Sequence, residues 1–380
     1  MKKITLATLI GLVLTGCGGG GGDDSTAPQP PVETKPRAVQ GTINAVNVPA
    51  NTIEVNGYSY NVGRVEYGDQ TLSIRNLAEN MTVEVSTTTK SGAVVYIEPT
   101  MVGKITAISP DRSTFIVNGV TLNFSLDKNI EPNNWVMVSS LPQATSEGFG
   151  YKVLSVVKFE EGDIAGQYEI EGRLSSLNEN DKTFTLGAAT QVRYTDNIIE
   201  DNKKLSDGLW VEVKGQMNDD NTFDATEVEV ETYDASDNDN EIEGIVTWVN
   251  RDKSQFELNA RGRFMVTSST YFEDGTKANL NIGVMVEVTA VNGIAREIEF
   301  ENDFDGDFGD TWREFEYTGQ PSIVSQNNTF TIKDKVVHID AYTEFDDGLN
   351  KDNISYHKID VEGVIIGTRY VAREIEREDD

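Results

Sequence analysis

Short runs in which apolar and polar residues alternate recur along the chain, and little of it shows helical periodicity. The clearest run is Val-Glu-Val at 83–85, 211–213 and 286–288, and Val136–Val138 and Ile359–Val361 fill the same place in their own segments. A period of two puts the flanking apolar residues on one face of a strand and the central residue on the other. We therefore predict an all-β chain whose valines face the cores and whose acidic residues face outward.

The strands are grouped into one unit that occurs five times. Each unit opens on a strand that contains a glycine, as in Ile242-Glu243-Gly244, and continues into a strand such as Phe256-Glu257-Leu258. It ends with the Val-Glu-Val strand and a closing strand. Glycine within a strand indicates a bulge or a sharp bend. The predicted boundaries are 38–100 for repeat 1, 101–161 for repeat 2, 167–232 for repeat 3, 240–302 for repeat 4 and 313–378 for repeat 5.

Units of about five short strands with a bent opening strand favour small closed barrels, because closure removes exposed strand edges. The predicted fold class is all-β, with five tandem OB-like barrels. Many of the acidic residues fall on outward strand positions, and we interpret much of this charge as a solvated face.

These features resemble the bacterial repeat family called domain of unknown function 5666. The resemblance rests on the glycine opening, the Phe-x-Leu strand, a Leu-x-x-Gly pattern such as Leu280–Gly283 before Val-Glu-Val, and a closing Ala-x-x-Ile such as Ala295–Ile298. It extends over about residues 37–378 and is strongest in repeats 3 and 4. It implies a secreted lipoprotein of tandem β-barrels, and it brings no catalytic residues.

The N-terminus has the features of a secretory signal. Two lysines precede an apolar run at Ile4–Val13, which is too short for a stable membrane span. The following Leu14–Cys17 resembles a bacterial lipobox, which implies cleavage after residue 16 and acylation of Cys17; the alternative is an ordinary secretory signal with a chance cysteine. Several acyl chains give stable anchoring. Gly18 stands where an inner-membrane lipoprotein has Asp, which suggests the outer membrane. Residues 17–37, rich in glycine and proline, form a predicted flexible tether.

The charge balance narrows the classes of partner. The chain has 32 basic and 63 acidic residues, a formal net charge of −31. Such a field repels phosphate backbones, so nucleic acid is not expected as a partner. It attracts cations or basic partners. A single cysteine and two histidines exclude internal disulfides and zinc sites of the usual kind.

Three tryptophans are candidates for ligand stacking. Trp210 and Trp135 stand just before the Val-Glu-Val strand of repeats 3 and 2, and Trp248 follows the opening strand of repeat 4. Alternation puts these positions outside the cores, where they could stack on sugar rings or on a partner. The alternative is that they pack against a neighbouring barrel.

An acidic linker at 303–312 separates repeats 4 and 5. Alternating carboxylates around a glycine turn can converge on calcium, although the linker lacks the EF-hand spacing, and a solvated linker is the alternative. The candidate calcium ligands are Asp303, Asp305, Asp307 and Asp310.

No known catalytic motif occurs, and we expect no cofactor beyond this candidate calcium. We therefore predict a non-enzymatic, lipid-anchored envelope protein whose barrels form a rod or cluster that binds a polysaccharide, an envelope protein or divalent cations. The alternative is an envelope glycan hydrolase, which requires a carboxylate pair in a cleft between repeats.

Overall fold

The computed structural model describes residues 35–87, 91–145, 148–164, 166–187, 190–218, 220, 222–233, 240–301 and 313–378. These residues form strands, turns and short 3-10 helices, and none of them lies in an α-helix. No helix in these ranges is long and apolar enough to cross a membrane. The 3-10 helices are Ile74–Asn76, Glu161–Ile164, Asp196–Ile198, Glu200–Asn202, Lys277–Asn279 and Ile354–Tyr356.

Repeat 1 closes into a barrel. Its strands are β1 Ala38–Asn47, β2 Thr52–Val55, β3 Tyr58–Tyr67, β4 Gln70–Leu72, β5 Thr82–Ser86 and β6 Ala93–Ile97. β1 pairs antiparallel with β2 and β5, β2 with β3, and β5 with β6; a parallel pairing of β3 with β6 completes the circuit. This order, with one parallel pair, is that of an OB fold.

Repeats 3 and 4 close in the same order, with parallel pairs β14–β16 and β19–β22. The strands of repeat 3 are β12 Tyr168–Asn178, β13 Thr183–Leu186, β14 Thr190–Arg193, β15 Trp210–Met217 and β16 Thr222–Glu231. The strands of repeat 4 are β17 Asn240–Val249, β18 Gln255–Leu258, β19 Gly262–Met265, β20 Tyr271–Glu273, β21 Met285–Val291 and β22 Ile294–Phe300.

Repeats 2 and 5 use the same strands but leave one pairing of the circuit unmade. The sheet of repeat 2 is open between its third and last strands, and that of repeat 5 between its first and second. The strands of repeat 2 are β7 Met101–Ile108, β8 Thr114–Val117, β9 Val120–Asn123, β10 Trp135–Thr145 and β11 Gly148–Phe159. Those of repeat 5 are β23 Arg313–Gly319, β24 Thr329–Ile332, β25 Lys335–His338, β26 Glu344–Phe345, β27 Ile359–Ile366 and β28 Arg369–Arg377. The predicted all-β class and the OB-like barrels are thus confirmed.

The glycine of the opening strand serves a different purpose from the one predicted. The register shifts of these strands lie further along, for example between Val246 and Trp248. A Cβ on Gly244 would stand 2.4 Å from Nδ2 of Asn259, and one on Gly103 would stand 2.1 Å from Oδ1 of Asn118. Both asparagines have positive φ in the turn after the second strand. The glycine therefore makes room for a turn side chain, and the bulge is a separate feature.

The five repeats pack as a cluster. β1 of repeat 1 pairs in parallel with β17 of repeat 4, and β7 of repeat 2 pairs with β12 of repeat 3. One apolar cluster joins four repeats, and it includes Phe149, Trp210, Trp248 and Val364. Outward faces of single barrels are therefore often buried in the whole molecule.

Candidate functional site

The outward face of repeat 3 carries an ordered group of glutamates on its opening, Val-Glu-Val and closing strands. Glu171 is paired with Glu212, and Glu212 with Glu229 on the far strand. On either side of this row, Glu169 pairs with Lys214, Lys214 with Glu227, and Trp210 with Glu231. We call this group the carboxylate lattice of repeat 3. Its glutamates are Glu169, Glu171, Glu212, Glu227, Glu229 and Glu231.

Repeat 4 carries the same lattice in the same register. Glu243 pairs with Glu287, and Glu287 with Glu299, while Glu241 pairs with Thr289. Thr289 thus takes the position that Lys214 has in repeat 3. The glutamates of this lattice are Glu241, Glu243, Glu287, Glu297, Glu299 and Glu301.

Most of the central carboxylates are buried. The prediction that the outward acidic residues are solvated is therefore wrong at these positions. Glu169 and Glu171 are 1% and 3% exposed, and Glu241 and Glu287 are 7% and 8% exposed. Alternation placed them outside their own barrel, as predicted. The neighbouring repeats then cover them, because repeat 1 and the turn at Arg261 of repeat 4 lie over these faces.

Cationic and hydrogen-bonding side chains offset the negative charge of the carboxylate lattice of repeat 3. Lys214 forms ion pairs with Glu212 and, at 3.2 Å, with Glu227. Burial disfavours the ammonium, but these carboxylates outweigh it and raise the pKa of Lys214. Arg261 forms an ion pair with Glu171, which also accepts a 3.1 Å hydrogen bond from Nε1 of Trp210.

Repeat 1 adds a further carboxylate to this region. Oxygens of Glu98, Glu171 and Glu212 all lie within 4.8 Å of one another, a spacing that can hold a metal ion. Burial and the carboxylates of Glu171 and Glu212 raise the pKa of Glu98 well above its usual value. Burial raises the pKa of Glu171 to about 7 despite Arg261. The hydroxyl of Tyr67 donates a 2.7 Å hydrogen bond to Glu169.

The lattice of repeat 4 meets repeat 1 at Thr42. Glu243 accepts hydrogen bonds from the backbone N–H of Thr42, at 2.6 Å, and from its hydroxyl. Within the described ranges, no lysine or arginine forms an ion pair with Glu241, Glu243 or Glu287. Burial, with the neighbouring carboxylates, raises the pKa of Glu287 to about 10. Burial likewise raises the pKa of Glu241 to about 7.

The corresponding face differs in the other repeats. In repeat 5, Glu316 and Glu362 hold the register positions of Glu241 and Thr289, and both form ion pairs with Arg251 of repeat 4. In repeat 2 the face is apolar: Val102 pairs with Met137, and Met137 with Val157. This apolar face packs against the core of repeat 1.

The three candidate tryptophans do not present accessible rings, which corrects the prediction that they face a ligand. Trp135, Trp210 and Trp248 are 5%, 2% and 1% exposed. Trp135 packs with the core of repeat 1, and its ring centroid lies 4.8 Å from that of Tyr168. The other two lie in the apolar cluster between repeats, beneath Arg261 and Arg263. They pack against neighbouring barrels, as in the alternative interpretation.

A buried ion network between repeats 3, 4 and 5 was not foreseen from the sequence. Arg373 lies 3.0 Å from Glu257 and 3.3 Å from Asp340, and Arg173 also pairs with Asp340. Arg373 and Glu257 are 0% exposed. Burial favours the protonated form of Asp340, but Arg373 and Arg173 outweigh it and lower its pKa. Because these charges are paired with one another, we interpret the network as an assembly contact.

Several predicted residues lie outside the described ranges. They are the lipidation residue Cys17, the signal and tether at 1–34, and the candidate calcium ligands Asp303, Asp305, Asp307 and Asp310. The lipid anchor and the linker calcium site therefore stay predictions.

The comparison with family models agrees with the repeat architecture. The model for Domain of unknown function (DUF5666) matches three segments, at 169–229, 243–299 and 322–376. These segments, which are similar to that domain, coincide with repeats 3, 4 and 5, and those in repeats 3 and 4 include the central glutamates Glu171, Glu212, Glu243 and Glu287. No curated protein matches the chain.

Proposed function

We propose that this is a lipid-anchored, non-enzymatic envelope protein whose clustered barrels bind cations, or a cationic group of a partner, through their carboxylate lattices. The proposal rests on the recurrence of the same six-glutamate arrangement in repeats 3 and 4, with its central carboxylates largely covered by neighbouring repeats. Hard cations prefer oxygen ligands of this kind. A buried carboxylate is unfavourable without a positive charge nearby; Lys214 and Arg261 provide that charge in repeat 3, and a bound cation would provide it in repeat 4.

Two other ligand classes have less support. The tryptophans proposed to stack on sugar rings are covered by protein. A cavity of about 200 Å³ lined by Glu84, Glu231 and Glu241 lies between repeats 1, 3 and 4. It is smaller than the roughly 300–1,000 Å³ typical of ligand pockets. A cavity of about 350 Å³ between repeats 4 and 5 is within this range, but its carboxylates Glu316 and Glu362 are paired with Arg251. Glycosidases also need open space for a sugar between two carboxylates, whereas the grouped oxygens here lie within 4.8 Å.

The envelope location is tested through Cys17. In a Cys17→Ser variant the acylation site is lost, so we expect the protein to move from the membrane pellet to the soluble fraction. Fractionation of cells that express the full chain measures this. Pelleting equal to that of the unaltered protein would contradict lipid anchoring.

The cation-binding role is tested separately with the full chain in detergent. Equilibrium dialysis against Ca²⁺ and Mg²⁺ should show saturable binding that excess sodium does not abolish. The same preparation should release no reducing sugar from purified envelope glycans. Absence of bound divalent cation would contradict the cation role, and sugar release would contradict the non-enzymatic role.

A further inference from the structure

In two repeats a cationic side chain neutralises the carboxylates around the register position of Lys214. In repeat 3 it is Lys214, which pairs with Glu212 and Glu227. In repeat 5 the guanidinium of Arg251 reaches over from repeat 4 to Glu316 and Glu362. Repeat 4 has Thr289 at the position of Lys214, and its side chain brings no charge. The copies therefore indicate where a positive charge belongs in repeat 4.

Buried oxygens without hydrogen-bond partners lie at that place. Within the described ranges, Oε1 of Glu241 and both Oδ1 and Nδ2 of Asn56 have none, and the two residues are only 7% and 5% exposed. Asn56 and Glu287 both lie beside Glu241 and partly counteract the effect of burial on its pKa. A buried polar group without a partner is costly and calls for a ligand or ion.

The counterparts of Asn56 in repeats 2 and 4 make hydrogen bonds that Asn56 does not, although Oδ1 of Asn118 in repeat 2 also has no partner within the described ranges. Oδ1 of Asn259 accepts a 2.8 Å hydrogen bond from the N–H of Ile245, and Nδ2 of Asn118 donates to two carbonyls. The matching N–H in repeat 1, that of Thr42, donates to Glu243 instead. Oδ1 of Asn56 and Oε2 of Glu243 then converge above Gly41, 2.2 and 2.7 Å from the point where its Cβ would stand. Oδ1 of Asn56 therefore lies near an acceptor oxygen that is already hydrogen-bonded, and not near the donor that its counterpart in repeat 4 has.

We propose that the seam between repeats 1 and 4 binds a divalent cation, with Glu241, Glu287 and the side-chain oxygen of Asn56 as ligands. The ion takes the place that the Lys214 ammonium has in repeat 3. An all-oxygen donor set of carboxylates and an amide carbonyl suits Ca²⁺. This inference rests on the proposed cation-binding function and gives it a location.

Cation binding at this site should depend on pH. A cation requires the deprotonated ligand, so binding releases protons and strengthens as the pH rises. Calorimetric titration with CaCl₂ in two buffers of different ionisation enthalpy, at pH 7 and pH 9, measures both effects.

The decisive comparison uses Thr289→Lys, which supplies in repeat 4 the side chain that fills the lattice of repeat 3. We expect the full chain to bind Ca²⁺ in detergent and Thr289→Lys to lose one site. Glu287→Gln should weaken that site by at least about tenfold, because it removes a charged ligand. The matched controls are Thr121→Lys and Glu54→Gln, on exposed strand positions, and both should bind as the unaltered chain does.

In EDTA, the melting temperature of Thr289→Lys should be at least as high as that of the unaltered chain. This result would show that the variant loses the Ca²⁺ site because the lysine occupies it, and not because the protein misfolds. Equal Ca²⁺ binding by the unaltered chain and Thr289→Lys would overturn the location and leave cation binding elsewhere, for example at 303–310. Absence of Ca²⁺ binding by the unaltered chain would overturn both this inference and the cation part of the proposed function. Neither result bears on the lipid anchor, which Cys17→Ser tests.

Discussion

The lattices of repeats 3 and 4 have the same glutamates in the same register but different electrostatic surroundings. In repeat 3, Lys214 and Arg261 contact the central carboxylates. In repeat 4, Thr289 replaces the lysine, and the pKa of Glu287 is raised by burial to about 10. The comparison shows that one arrangement of glutamates can have two electrostatic surroundings, and we propose that it binds an external cation where the lysine is absent. The position of Lys214 and Thr289 on the Val-Glu-Val strand is the difference within the repeats themselves.

The largest loss of stability is expected when Lys214 of repeat 3 is replaced by threonine, the residue that repeat 4 has at this position. Lys214→Thr leaves Glu212 and Glu169 buried without the ammonium, and loss of one partner of a buried ion pair costs about 3 kcal/mol or more. Urea denaturation at pH 8 in EDTA measures this free energy of unfolding. The control Lys128→Thr, in an exposed turn, should change it by less than about 0.5 kcal/mol. An equally small change in Lys214→Thr would contradict the neutralising role of the lysine.

The pH dependence of stability provides the next test. A carboxyl with a raised pKa keeps its proton in the folded protein when the unfolded chain has lost it, so stability falls as the pH rises from about 4.5 towards the folded value. For Glu287 the window runs up to about pH 10, with a slope of at most about 1.4 kcal/mol per pH unit. Glu287→Gln should flatten this slope in EDTA.

Denaturation midpoints of the unaltered chain and Glu287→Gln at pH 6, 7, 8 and 9 measure this effect. Glu54→Gln, an exposed strand position, should keep the slope of the unaltered chain. Identical slopes for the unaltered chain and Glu287→Gln would mean that Glu287 is ionised in the folded protein without a cation.

A smaller effect is expected at Trp210, whose counterpart in repeat 4 is Met285. Trp210→Phe keeps much of the ring packing but removes the hydrogen bond from Nε1 to Glu171. Loss of a hydrogen bond to a charged buried group costs about 1.5 to 3 kcal/mol, less where Arg261 still pairs with that carboxylate. We expect Trp210→Phe to lower the free energy of unfolding by about 1 kcal/mol, measured by urea denaturation. Unchanged stability would indicate that Arg261 alone neutralises Glu171.

Much of the fold could be predicted from the alternation of residues. The phenylalanines of the second strands are nearly completely buried, and the valines of the Val-Glu-Val strands face the cores. The positions of the glycines were predicted correctly, but the reason for them was not, because in repeats 1, 2 and 4 the side chain above the glycine is an asparagine from a turn about 15 residues later. Sequence spacing alone does not show that contact.

The candidate site was less predictable because alternation identifies the outward face of a barrel without showing what covers it. Trp210 and Glu171 are outward in repeat 3 and are nevertheless buried by other repeats. The exchange of Lys214 for Thr289 was visible in an alignment of the repeats. The electrostatic effect of this exchange depends on how deeply the neighbouring glutamates are buried, and burial follows from how the barrels pack against one another.

The most direct measurement is anomalous diffraction from crystals of the full chain grown with Mn²⁺ in place of Ca²⁺. We expect an anomalous peak between Glu241, Glu287 and Asn56, and none beside Lys214. A peak in both lattices, or none in repeat 4, would contradict the claim that Lys214 takes the place of a bound cation.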